Sequence, residues 1–410
     1  MTHYDSLETR PGAEREADLM ARLPLQIAHA RRNAPAYTAA LAEVDPALIT
    51  SRSTLATLPV IRKSELLERQ MANRPFGGFS AVGWGEALRV FASPGPLYEP
   101  EGARRDYWRL ARALYAAGFR QGDLVHNCFA YHFTPAGSML ETAAHALRCT
   151  VFPGGTGQTE QQVQAMADLK PNGYVGTPSF LRIILEKADE MGLRIESLTK
   201  ALVSGEAFPP SLRDWLAARG IQAFQAYATA DLGLIAYETQ AREGLVIDEQ
   251  VILEIVRPGT GDPVPEGEVG EVVVTTLNPD YPLIRFGTGD LSAVLPGVSP
   301  CGRTSMRIKG WLGRADQTTK VKGMFVHPSQ VAEVIKRHPE IGRARLVVDN
   351  DQGSDRMTLH CEAQEVSEGL AAAIAGSMRD VTKLRGDVRF CAPGALANDG
   401  KVIDDVRRYA

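Results

Sequence analysis

Cysteine is sparse in this chain: five residues in 410, at positions 128, 149, 301, 361 and 391, with no CxxC pair among them. An odd, scattered set excludes a disulfide scaffold and a zinc knuckle, and it points to a reducing compartment. No apolar run approaches the ~18 residues that a membrane-spanning helix needs. The opening stretch MTHYDSLETRPGAEREAD is polar and charged, unlike a secretory signal, so the cytoplasm is the expected location. An excess of one charge is missing too. The 45 Lys and Arg against 49 Asp and Glu leave a formal net charge of -4, with no electrostatic case for nucleic acid or an anionic membrane as partner. His327, before Pro328, has no cysteine or histidine nearby, which argues against a metal there. Internal repeats and low-complexity tracts are also absent from the sequence.

What is present is the composition of a soluble globular protein, 44% hydrophobic and 23% charged. A chain of 410 residues is too long for one compact core and suits a large domain with a small one. AEREADLMARLPLQIAHARRN (13–33) predicts an amphipathic helix interrupted at Pro24. From Arg104 short strands alternate with longer helical stretches as far as AFQAYAT (223–229). That alternation predicts βαβ units and a parallel sheet with helices on both faces. Within it GGTGQTEQ (Gly154 to Gln161) lacks the spacing of a dinucleotide loop and reads as a βα turn with Thr159 as the N-cap. From about Leu245 the pattern turns β-rich, with hairpin chemistry in RPGTGDPVPEGEVG. The last stretch reads as a small α+β domain. The expected architecture is therefore α/β: a large domain over 1–315 with a β-rich subdomain, and a small domain over 316–410.

Chemistry-bearing residues concentrate late in the chain. GWLGRADQTTKVKGMFVHPSQV (Gly310 to Val331) sets Arg314 and Asp316 on one side of an extended segment. Lys320, Lys322 and Gly323 follow as a basic loop whose backbone can approach a ligand closely. Upstream, PLIRFGTGDLSAVL carries Asp290, expected at the tip of a turn where a carboxylate can accept ribose hydroxyls. Downstream, NDGKVIDDVRRY offers Lys401 after Gly400. This ordered set resembles the adenylate-forming superfamily of acyl-CoA ligases, luciferases and peptide-synthetase adenylation domains. VFPGGTGQTEQQVQAMADLKPNGYVGTPSFLRII (Val151 to Ile184), the tract ending in FGTGDL, and CGRT (Cys301 to Thr304) look like the corresponding parts of phenylacetate–CoA ligases. The resemblance runs from about residue 100 to the C-terminus.

The resemblance implies ATP, Mg²⁺ and coenzyme A as reactants and cofactors, and an aromatic carboxylic acid as substrate. It implies Asp290 on the ribose and Arg314 on the nucleoside. Asp316 becomes the residue about which the small domain turns, with the Lys320–Gly323 loop arriving for thiol attack. Lys401 becomes the catalytic residue of adenylation. QAYATADLG (Gln225 to Gly233) stands where the family has Tyr-Gly-x-Ser/Thr-Glu, which implies Tyr227 on the adenine beside Ala228. Ala230 replaces the hydroxyl residue there, and Asp231 takes the position of the Glu that helps hold Mg²⁺. Ser204, Gly205 and Glu206 resemble the tract against the adenine. CFAYHFTPAG (Cys128 to Gly137) corresponds to the acyl-binding tract, which implies Tyr131, His132, Phe133 and Phe180 around the acid. A possible homodimer follows from the same analogy.

One tract departs from that pattern. FASPGPLYEPEG (Phe91 to Gly102) stands where the family has a Ser/Thr/Gly-rich phosphate loop. Ser93 and Gly95 remain as candidate phosphate contacts, yet Pro94 and Pro96 offer no amide donors, and Glu99 and Glu101 bring negative charge. Such a loop is expected to bind pyrophosphate poorly. Two alternatives to the CoA ligase therefore stand: an adenylating enzyme that serves a carrier-protein thiol, an amine or a reductase, and a relative that has lost ATP turnover. A nicotinamide oxidoreductase fits the alternation but has no fingerprint.

Overall fold

The alternation that begins at Arg104 is realised strand by strand in the computed structural model. It describes residues 2–407 apart from 316, 318, 322–323, 352–353, 365 and 400, and leaves aside the side chains of 320, 325, 350, 351 and 354. The chain forms two compact units. One comprises Met1–Leu253, Val274–Phe286 and Leu295–Trp311, and the other Glu254–Val273, Gly287–Val294 and Leu312–Ala410.

The first unit is organised by a sheet. Arg307–Ile308, Leu245–Ile247, Gly233–Glu238, Gln222–Thr229, Lys200–Val203, Gly173–Gly176, Leu124–Asn127 and Thr150–Phe152 lie side by side in that order. The members from Gln222–Thr229 to Thr150–Phe152 are parallel neighbours, while those on the other side of Gln222–Thr229 are antiparallel. The helices Ala136–Ala146, Thr159–Leu169, Pro178–Glu190 and Pro210–Ala217 make the crossovers. Strand side chains alternate between two cores. Val125, Val175, Leu202 and Phe224 pack with Leu140 and Ala143, whereas Tyr174, Ala201, Val203 and Ala223 pack with Val163, Leu181, Ile184 and Leu216. A period of two feeding two helix-covered faces is what a buried parallel sheet requires.

Two local expectations are corrected. The helix Gly12–Asn33 runs unbroken through Pro24. Proline there forfeits one backbone hydrogen bond, but the face carrying Leu19, Leu23, Ile27 and Ala30 is buried, and Gln26 Nε2 donates to the Asn278 carbonyl at 2.7 Å. Burial of that face outweighs the local penalty. The cap of Thr159–Leu169 is Gln158, in a left-handed conformation without a side-chain cap bond, and Thr159 is the first helical residue. Gln162, a turn further on, ties the preceding loop instead, its Nε2 donating to the carbonyls of Gly154 and Gly155 at 2.9 and 3.1 Å.

In the second unit the strands Asp387–Cys391, Ser354–Ala363, Ile341–Asp351 and Ile403–Asp405 form a sheet in that order. The helices Pro328–Lys336 and Glu368–Thr382 accompany it, with Val331, Val334, Leu346, Leu359, Ile374, Met378 and Ile403 in one core. Among the described residues no helix is long and apolar enough to cross a membrane.

Replacing Pro24 with Ala restores the missing amide donor without altering the buried face. Urea unfolding of Pro24→Ala is expected to show a gain of ~1–3 kcal/mol with an unchanged m-value.

Candidate active site

In the first unit the expected site residues gather at the carboxyl ends of the parallel strands. Ser204, Gly205 and Glu206 follow Lys200–Val203, Tyr227 and Ala228 end Gln222–Thr229, Tyr131 to Phe133 follow Leu124–Asn127, and Phe180 follows Gly173–Gly176. Strand order reverses at Leu124–Asn127, which has Thr150–Phe152 on one side and Gly173–Gly176 on the other. Open α/β sheets bind ligands in the crevice outside such a point, because the loops leave it in opposite directions.

The loops there are held by specific contacts. Asn127 Nδ2 donates to the Tyr131 hydroxyl at 2.8 Å and to the Gly137 carbonyl at 2.9 Å. Gly137 permits this packing, since a Cβ on it would lie 2.5 Å from the Ala130 carbonyl oxygen. Burial, and then the nearby Glu141 carboxylate, push the Tyr131 phenol well above its ordinary range. Ser204 Oγ donates to the Ala226 carbonyl at 2.8 Å, and Glu206 accepts from the Ser179 amide at 2.6 Å. Tyr227 pairs with Ala236 immediately before a register shift that falls between Tyr227 and Ala228. Tyr131 and Phe180 are partly buried. His132 and Phe133, expected around the acid, are both exposed, Phe133 at 77%. The backbone explains the latter: Phe133 has φ 62° and its carbonyl accepts from Ala92, which commits the main chain to the neighbouring hairpin.

That hairpin is the tract expected to act as a phosphate loop. Ala87–Ser93 and Leu97–Gly102 pair antiparallel, Ser93 opposite Leu97, so that only Pro94, Gly95 and Pro96 join them. Gln70 clamps the second strand, donating to the Tyr98 carbonyl at 2.9 Å and accepting from its amide at 2.8 Å. The expectation that Glu99 and Glu101 face a polyphosphate is corrected, since both are buried. Glu101 accepts from Arg89 at 2.8 Å, Trp108 Nε1 at 3.0 Å and Ser138 Oγ at 2.7 Å. Glu99 accepts from Ser93 Oγ at 2.5 Å, which removes that hydroxyl from the free phosphate donors. Burial, reinforced by the charge of Asp231, pushes the Glu99 carboxyl up to about 8.

Asp231, the expected Mg²⁺ ligand, has a side chain with no exposure and holds Lys63 Nζ at 2.7 Å. Lys63 is the residue that sequence reading missed. It opens the helix Lys63–Ala72, where a cation opposes the helix dipole, and that misplaced charge was the one local signal of another use. Among the described residues no group of three or more His, Cys, Asp or Glu could hold a metal ion.

In the second unit Asp290 and Arg314 come together. Arg314 Nη1 donates to Asp290 Oδ1 at 2.9 Å, and the two residues form an isolated antiparallel bridge. Asp290 lies inside the strand Phe286–Ser292 and not at the tip of a turn. Gly289 makes the approach possible: its φ is 74°, and a Cβ there would stand 2.8 Å from Arg314 Nη2. Lys401 is exposed, its Nζ 2.8 Å from Asp404 Oδ1. Gln317 Oε1 accepts from the amides of Val402 and Ile403 at 2.5 and 2.8 Å, fastening the segment that follows Lys401. Asp316, Lys322 and Gly323 lie outside the described residues, as does the side chain of Lys320, whose backbone belongs to the strand Thr319–Val321.

The candidate residues thus lie at the carboxyl ends of a parallel sheet in the first unit and, in the second, at an Asp–Arg pair and an exposed lysine. The family model for the AMP-binding enzyme matches residues 130–278. Phenylacetate-coenzyme A ligase of Aromatoleum evansii is 31% identical over 96% of this chain and 93% of its own length. The Thermus thermophilus enzyme of the same name is 32% identical over 89% and 85%. Among solved structures, 2-hydroxyisobutyryl-CoA ligase in complex with 2-HIB-AMP and CoA superimposes with a TM-score of 0.73 at 26% identity, covering 99% of this chain and 93% of that one. The chain belongs to the phenylacetate–CoA ligase family of AMP-binding enzymes. It is by class an AMP-forming acid–CoA ligase.

The Glu99 carboxyl supplies a pH test. Its folded-state value of about 8 lies above the ordinary 4.5, so between those pH values the folded protein binds the extra proton and stability falls as pH rises. Glu99→Gln cannot ionise. Calorimetric unfolding should show the variant gaining on the native protein by on the order of 3 kcal/mol between pH 5 and pH 8.5.

Proposed function

We propose that this chain converts an aromatic carboxylic acid to its CoA thioester through an acyl-adenylate. A carboxylate oxygen of the acid attacks the α-phosphorus of ATP, a P–O bond forms, and pyrophosphate leaves. The sulfur of CoA, as thiolate, then attacks the acyl carbon, and AMP departs with the electrons of the broken C–O bond. The observation that carries the assignment of residues is the Asp290–Arg314 pair, a carboxylate and a guanidinium held side by side in a strand-to-segment bridge. Asp290 is assigned to the ribose hydroxyls and Arg314 to the nucleoside. Tyr227 is assigned to the adenine face, and the Ser204–Glu206 turn to its edge.

Lys401 is assigned to adenylation. Negative charge gathers on both partners as the carboxylate meets the phosphate, and a lysine placed there stabilises that transition state. Lys401 is itself exposed and its present partner, Asp404, is part-exposed, so releasing the ammonium costs little. A turn of the small domain about position 316 would withdraw Lys401 and bring residues 320–323 to the acyl group for the thiol step. Tyr131 and Phe180 are assigned to the aromatic ring. Magnesium does not fit Asp231 as that residue stands here, so no step is routed through a metal at that carboxylate.

A second reading is favoured by one observation, the closed hairpin at Ser93–Leu97, which offers few donors to a pyrophosphate. On that reading the protein handles an acyl group without turning over ATP, or passes the adenylate to a carrier-protein thiol or an amine. Pyrophosphate release with a panel of aryl acids, with and without CoA, separates the readings. Release coupled to thioester formation is expected, and no release with any acid would favour the second.

Two variants test the assigned residues. Lys401→Ala should slow adenylate formation by orders of magnitude while leaving conversion of a supplied acyl-adenylate nearly intact, as single-turnover assays of each half-reaction would record. Asp290→Ala should weaken ATP binding roughly 10- to 100-fold in calorimetry, the loss expected for one or two hydrogen bonds to a charged acceptor.

A further inference from the structure

One buried polar cluster in the first unit takes no part in the steps above. Lys63 Nζ lies 2.7 Å from Asp231 Oδ2, and the Asp231 side chain has no exposure. Asp231 Oδ1 and Glu99 Oε2 are both buried without a hydrogen-bond partner. Glu99 is fully buried, with its other oxygen on Ser93 Oγ at 2.5 Å. The ionisable groups of this cluster are thus one ammonium and two carboxyl groups, and burial together with the Asp231 charge disfavours ionisation of the Glu99 carboxyl. Three protein segments supply them: the start of the helix Lys63–Ala72, the hairpin strand Leu97–Gly102, and the turn after Gln222–Thr229.

We infer that Lys63 is the resident cation of this site, an ammonium built into the chain that neutralises Asp231 and closes it to a divalent ion. Magnesium demands near-octahedral oxygen ligands at ~2.0–2.1 Å and gives up its waters reluctantly. A carboxylate with no exposed surface, already in contact with an ammonium, cannot supply such a ligand without losing its counter-ion. The lysine needs a single contact and is covalently tethered, so it arrives without the entropy cost of binding a separate ion. Removing Lys63 alone leaves a buried charge uncompensated, which is strongly destabilising, whereas removing both charges is not. Any divalent ion that accompanies ATP here is held by the phosphates and by groups other than Asp231.

The inference rests on the nucleotide-site reading only for the role expected of Asp231. Its test uses the full chain without nucleotide, acid or CoA, so its outcome is independent of whether the protein adenylates. Manganese binding is measured by electron paramagnetic resonance, and Tm by calorimetry, for the native protein, Asp231→Asn, Lys63→Met and the double variant. The native protein and Asp231→Asn should bind the same amount of Mn²⁺. Lys63→Met should lower Tm by roughly 5 °C or more, and adding Asp231→Asn should recover at least half of that loss. A Mn²⁺ ion bound per chain and abolished by Asp231→Asn would overturn the inference. So would a double variant no more stable than Lys63→Met. Should Lys63→Met not accumulate as folded protein, recovery of folded protein in the double variant supports the inference, and failure to recover it counts against.

Discussion

The contact between Lys63 and Asp231 is the constraint on which this end of the sheet depends. It joins the start of an early helix to the turn that follows the strand of Tyr227, through a carboxylate with no exposed surface. Burying an ion pair gains little in net stability, but breaking one is costly, so the pair acts mainly to fix which segments meet. Beside it, burial and the Asp231 charge both disfavour ionisation of the Glu99 carboxyl. Ser93, bonded to Glu99, then has no free hydroxyl to offer outward, and the hairpin closes in three residues. The charge arrangement and the short loop are two aspects of one structure.

Legibility in the sequence followed the range of the interactions involved. The alternation from Arg104 to Thr229 was readable because each strand and helix carries its own period, and the two-sided burial of Tyr174, Val175, Ala201 and Leu202 is that period expressed in packing. Asp290 and Arg314 were each readable as members of an ordered set of motifs, but neither their pairing nor the placement of Asp290 inside a strand was. That placement depends on Gly289 admitting the arginine of a segment 24 residues away. Pro24 misled because a local rule was overridden by the buried face of Leu23 and Ile27. Glu99 and Glu101 misled most. Their burial depends on Ser93, Arg89, Trp108, Ser138 and Asp231, and no neighbour in sequence announces that these will surround them. Lys63 lay in the first 90 residues, where no recognisable motif drew attention to it.

Catalysis in an adenylating ligase rests on placing charge where the transition state develops it. In this chain the reacting groups are assigned to a nucleoside-binding pair, a late lysine and a set of strand-end loops, each anchored by contacts that keep its backbone in place. The phosphate side is different. Where a loop of amides and hydroxyls would cradle pyrophosphate, this protein has a clamped hairpin with Gln70 on one strand and buried acids beneath. On the proposed reading, binding energy from the nucleoside and the acid supplies more of the orienting.

The central claim is that a chain with this hairpin still forms an acyl-adenylate and discharges it to CoA. The most direct measurement is a rapid-quench experiment with α-³²P-labelled ATP, enzyme in excess and an aryl acid, followed by a chase of CoA. The account predicts a labelled acyl-adenylate that accumulates on the enzyme and is released as AMP, with equivalent thioester, when CoA is added. Labelled ATP recovered unchanged with every acid, under conditions in which the protein is folded, would contradict it.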